Sequence, residues 1–179
     1  MQTLTFTKPH ILNGALVPAG VSSDPAYTLS TTPPGRVRGV TSLSGTPTAS
    51  INWPERSFDI DGERLPIDSV ERKVWVKGRL TSARVWQWGQ VEYELRYGNE
   101  TEEWTAKDLS SPDTPVAYFR SARSHIVHKN EPAQLTIELN IPPAQLKFLL
   151  LALIYSEVRR LDVLGLGKRP TEMVVGAIS

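Results

Sequence analysis

The hydrophobic residues follow two patterns along the chain, and the change comes near residue 140. Before it, apolar and polar residues alternate in short runs. Val91, Tyr93, Leu95 and Tyr97 alternate with Glu92, Glu94 and Arg96, and Leu135, Ile137 and Leu139 alternate with Thr136 and Glu138. A period of two sends one set of side chains to a dry face and the other to water, which predicts strands. After it, residues 143–161 read as a helix in which Leu146 and the unbroken run Phe148 to Tyr155 leave no polar stripe. A surface helix keeps one wet face, so this one must be enclosed. The eight-residue run falls well short of the roughly 20 apolar residues a membrane span needs. Asn140 stands ready as a cap, Pro142 and Pro143 suit a first turn, Arg159 and Arg160 suit the last, and Gly165 marks the stop.

Turn residues punctuate the rest. Strands are expected over 4–7, 11–17, 26–30, 36–43, 48–53 and 57–60, with proline and glycine at the joints. Asp61-Gly62 is a strong hairpin signal and leads into 63–65, because both central positions of the favoured turn need positive φ. Residues 67–77 hold an ambiguous helical turn over 68–71 before a strand around Val74, Trp75 and Val76. A meander follows over 82–88, 91–97 and 101–108, joined by two-residue turns at Gly89-Gln90 and Gly98-Asn99, and strands over 116–123 and 134–139 complete the series. A sheet with one dry face and a helix dry all round satisfy each other when the sheet wraps the helix. The expected fold is mainly β: a closed antiparallel barrel of about twelve strands around a central hydrophobic C-terminal helix. Residues 1–164 form one domain in this reading, with the helix at about 143–161, and 165–179 are a tail or a short terminal strand.

Composition narrows the function classes. The chain of 179 residues has a formal net charge of +1, which gives no reason to expect nucleic acid. Without cysteine it has neither disulfides nor a thiolate metal site. No signal-peptide pattern opens it, so a cytoplasmic location, peripheral at membranes, is expected.

Charge is segregated. Arg72, Lys73, Lys77, Arg79 and Arg84 face a single acid, Glu71, in their stretch, while six acids between Glu92 and Asp108 face only Arg96 and Lys107. Arg36 and Arg38 share one strand face. A basic cluster beside an exposed aromatic such as Trp75 can hold phosphates while the ring enters the headgroup layer. The plainer account is that neighbouring basic and acidic strands pair across a solvated sheet. The first functional expectation is a non-enzymatic binding module, recognising anionic phospholipid head groups or a partner protein through the barrel exterior. The second is a small-molecule enzyme, an isomerase, cyclase or hydrolase, with a cleft at a barrel mouth and His125, His128, Tyr93 and Glu94 as its candidates. No third ligand accompanies the two histidines, so no metal site is expected, nor any cofactor.

The succession of features resembles the tubby C-terminal-like superfamily, and its fungal members in particular; relatives are tubby, the LURP-one-related proteins and the phospholipid scramblases. The likeness lies in the opening Leu4-Thr5-Phe6 strand, the Tyr27 to Thr31 strand and the Ala49 to Trp53 strand. It continues through the Asp61-Gly62 hairpin, Trp86-Gln87-Trp88, Tyr93-Glu94-Leu95, Val116 to Arg120 and the late apolar helix. It implies a barrel closed around a central helix and, from the tubby domains, phosphoinositide binding by basic side chains on the outer wall. Those basic ligands do not map onto this chain residue by residue, so none is carried across.

Overall fold

The structure, a computed structural model, describes residues 1–20, 24–32, 39–76, 79–123 and 131–163, with the backbone alone at 76 and 79–82. Thirteen strands form one antiparallel sheet. The first seven run as a meander: β1 (Gln2–Phe6), β2 (Gly14–Pro18), β3 (Tyr27–Thr32), β4 (Val40–Leu43), β5 (Ala49–Asn52), β6 (Ser57–Ile60) and β7 (Glu63–Pro66). The second meander holds β8 (Glu71–Val76), β9 (Arg79–Trp88), β10 (Val91–Gly98), β11 (Glu103–Asp108), β12 (Pro115–Arg120) and β13 (Gln134–Ile137). The two join where β1 pairs with β13. The short α1 (Ile67–Val70) links β7 to β8, and α2 (Pro143–Val163) ends the described chain.

At two hairpins the local chemistry of the turn is as expected from the sequence. Asp61 and Gly62 have φ of 54° and 85°, the pair of positive values a two-residue hairpin turn needs, and Gly89 has φ 60° at the β9–β10 turn. The β10–β11 connection is longer than the expected Gly98-Asn99 turn. Gly98 pairs with Glu103, and Glu102 takes a positive φ of 53°, so β11 starts at Glu103 rather than Thr101.

Twelve consecutive residues of α2, Lys147 to Val158, are buried. The sheet curls round them, and α2 touches β5 and β6 of one meander and β9 and β10 of the other. Tyr155 stacks on Trp53 at 5.4 Å and meets Phe58 and Trp86 edge-on. Full burial of each such apolar side chain is worth about 1.5–3 kcal/mol. Four of the five tryptophans lie in this core; Trp75 is the exception, 64% exposed. Two of the polar groups that the curl buries are matched across it: Trp53 donates to the Thr41 hydroxyl at 2.8 Å, and Thr31 to the Leu12 carbonyl at 2.7 Å.

The ladder does not close. β7 and β8 are the sheet's two edges, and among the described residues no strand pair joins them. The expected hydrogen-bonded closure is therefore replaced by a seam. β7 is a short edge strand carrying Glu63 and Arg64 and ending on Pro66, which has no amide to donate. The chain then turns into α1, whose buried Ile67 and Val70 plug the seam. Beneath it, Phe58 of β6 stacks on Trp86 of β9 at 5.7 Å, so the core is continuous across the gap.

Candidate functional site

The β8–β9 pair sets the site. Its register places Glu71 opposite Trp86, Arg72 opposite Val85, and Lys73 opposite Arg84. Residues directly opposite each other share a face, and Trp86 packs on Tyr155 of the central helix. Glu71, Lys73 and Arg84 therefore stand on the inner face, while Arg72 stands outside. Of the expected basic cluster, Lys73 and Arg84 thus stand toward the mouth at the described end of α2. Arg72 does face out, but its guanidinium is held by both oxygens of Glu92, at 3.0 and 3.1 Å. Arg96 meets Glu94 at 3.3 Å. On the outer wall of this meander, pairing of opposite charges, between strands for Arg72 and Glu92 and along β10 for Arg96 and Glu94, accounts for these residues, each exposed pair worth about 0–1 kcal/mol.

The inward residues border a half-open cleft of about 690 Å³. Arg56, Glu71, Lys73 and Arg84 line the strand side, Tyr155, Ser156, Arg159 and Arg160 the helix side, and Trp86, Tyr97 and Trp104 the wall between. Three of the five cations are committed. Arg56 pairs with Asp68 at 2.8 Å, and its pKa is raised above the usual arginine value by the neighbouring Tyr155 oxygen first and Asp68 second. Arg84 pairs with Glu71 at 3.0 Å. Arg160 is forked onto Glu157 by two bonds of 2.8 Å, which raises its pKa, and its guanidinium lies over the Tyr97 ring at 4.3 Å. Lys73 and Arg159 have no ion pair or hydrogen bond among the described residues. Burial and α2 together explain the knot below the cleft. Glu157 is 1% exposed, and its carboxylate also accepts from the Trp104 indole at 2.9 Å and from the Ser121 hydroxyl. It fastens the helix end to β11 and to the residue after β12.

The opposite mouth is built differently. Lys147, in the first turns of α2, is buried; its ammonium donates to the Ser44 carbonyl and lies 5.5 Å from the Tyr27 ring centre. Desolvation lowers its pKa below the usual lysine value.

Of the enzymatic candidates, Tyr93 and Glu94 lie among the described residues, on opposite faces of β10. Tyr93 is buried in the core, where burial first and the Asp108 charge second push its pKa up to about 12. Glu94 follows it on the strand and so faces the other way, paired with Arg96. His125, His128, Lys77, Arg36 and Arg38 lie outside the described residues, as does the Arg79 side chain. Among the described residues no group of three His, Asp or Glu is placed to hold a metal. Arg56, Arg159, Arg160, Tyr97 and Trp104 were not singled out as site residues from the sequence. Arg159 and Arg160 had a sufficient explanation as helix-ending cations, and only the tertiary fold brings Arg56 to them. No protein-family model, no curated protein and no solved structure matches the chain. No helix among the described residues is long and apolar enough to cross a membrane.

Proposed function

We propose that the protein is a non-enzymatic binding module that recognises anionic phospholipid head groups through the β8–β9 hairpin, peripheral at the cytoplasmic face of a membrane. The observation that carries this is Trp75. It is 64% exposed, whereas the other four tryptophans are at most 9% exposed. It sits on an edge strand, two residues from Lys77 and four from Arg79 in sequence. Indole rings favour the membrane interface, and each nearby cation adds about 1 kcal/mol of attraction to an anionic surface. This reading is in keeping with a tubby-like barrel around a central helix, with closure made by α1 packing in the seam rather than by a continuous ladder.

Vesicle cosedimentation over a salt series tests it. Binding is expected with phosphatidylinositol phosphate in phosphatidylcholine and not with phosphatidylcholine alone. It is expected to fade as the salt rises past ~0.15 M, where the screening length falls to about 8 Å. Trp75→Ala and the double change Lys77→Glu/Arg79→Glu should each abolish it. Absence of binding at low salt rejects the membrane reading.

A further inference from the structure

We infer a second site, separate from the hairpin tip: the cleft at the C-terminal end of α2 binds a small organic dianion, a phosphate monoester carried on a flat apolar body. Charge gives the first half of this. Of the five cations lining the cleft, Arg56, Arg84 and Arg160 are neutralised by Asp68, Glu71 and Glu157. Lys73 and Arg159 remain, one from the strand side and one from the helix side, so a ligand between them meets two positive charges. The last carbonyls of α2 oppose an anion with only about half a charge. Inward-facing cations are also unusual for a sheet that wraps an apolar helix. Lys73 and Arg84 occupy positions where binary patterning calls for hydrophobic residues, and such breaks in a consistent pattern concentrate at functional sites.

The wall gives the second half. The rings of Trp86, Tyr97 and Trp104 line the same cleft as the two cations. The buried indole N–H of Trp86 has no acceptor among the described residues, an unmatched donor of the kind that calls for an explanation. A volume near 690 Å³ falls within the roughly 300–1,000 Å³ of small-molecule sites, which combine apolar walls with a few convergent polar groups. Arginine and lysine together suit phosphoryl oxygens, the first as a fork and the second as a point charge.

The cleft carries its own reporter, because Trp86 and Trp104 line it. Intrinsic fluorescence and calorimetry with phenyl phosphate, benzenesulfonate, inorganic phosphate and benzyl alcohol separate charge from ring. Phenyl phosphate is expected to bind about tenfold or more tightly than each of the others, since the monoanion wastes one cation and the remaining two lack either ring or charge. Lys73→Gln and Arg159→Gln should each weaken it by about tenfold, while Arg72→Gln, on the outer wall, should leave it unchanged. Both cleft positions are exposed, so these variants keep the fold, and circular dichroism verifies that. A parallel arm uses phosphatidylcholine vesicles with and without phosphatidic acid, which presents the same monoester on a lipid. Binding of the vesicles without binding of phenyl phosphate rejects the cleft as a soluble-ligand site and leaves the hairpin reading standing. Equal losses in Arg72→Gln and Lys73→Gln, or equal affinity for inorganic phosphate, likewise overturn it.

Discussion

Glu157 shows how a single residue can be misread when only its neighbours in sequence are known. In the string Ser156-Glu157-Val158-Arg159-Arg160 it reads as one of the charges that end a hydrophobic run. In the fold it is buried, and it gathers the Trp104 indole, the Ser121 hydroxyl and the Arg160 guanidinium onto one carboxylate. A buried charge is tolerated when it is paired and its lone pairs are filled, and both conditions hold. Tyr93 offers the residue-scale test. Burial raises its pKa from 10.0 to about 12, so the folded protein keeps the phenolic proton where the unfolded chain releases it. The stability this contributes is complete below pH 10 and is lost as the pH rises through the folded value. The loss is on the order of 2 kcal/mol. Urea unfolding at about pH 9 and about pH 12 should therefore show a smaller fall for Tyr93→Phe than for the parent. Parallel losses in the two proteins would show that the phenol titrates no differently when folded.

At the scale of elements, legibility tracks how local the causes are. The central helix was readable because its enclosure follows from composition alone, and it runs Pro143–Val163 against an expected 143–161. The Asp61-Gly62 turn was readable because it depends on two residues. The inward face of Lys73 was not. It depends on register with β9, on a register shift between Lys73 and Trp75, and on which side of the sheet the helix occupies. The same holds for the seam, since no local signal says that β7 and β8 stop short of pairing. The plug in that seam makes a prediction of its own. Ile67 is fully buried at the start of α1, between the two sheet edges. Replacing it with aspartate puts an unpaired charge there and should cost about 3 kcal/mol or more, with amide exchange rising first in β7 and β8. Asp68→Ala, on the exposed side of the same turn, should change stability by no more than about 0.5 kcal/mol. A rise in exchange spread evenly through β1 and β13 would mean that α1 does not guard the seam.

For the molecule as a whole, the strand order poses the question of what makes two meanders one domain. They share one ladder, β1 with β13, and one covalent link through α1. Both bury apolar side chains, Leu4, Phe6 and Leu135 at the ladder and Ile67 and Val70 at the link, and Phe58 stacks on Trp86 across the seam. To these α2 adds its own coupling, since it packs on β5 and β6 from one meander and on β9 and β10 from the other. Each meander alone would leave part of the helix, and its own dry face, in water. The chain should consequently unfold in a single transition. Phe148 is the place to test this, because its ring meets Phe58 of the first meander at 6.0 Å and Trp88 of the second at 5.5 Å. Phe148→Ala is expected to cost about 3–5 kcal/mol. The more telling measurement is how that loss is distributed. With single-tryptophan variants retaining Trp53 in the first meander or Trp88 in the second, both probes should shift to the same lower urea midpoint and still coincide with far-UV circular dichroism. If the Trp53 and Trp88 transitions separate, the meanders are stable independently, and the helix is packing for one of them rather than the element that unites both.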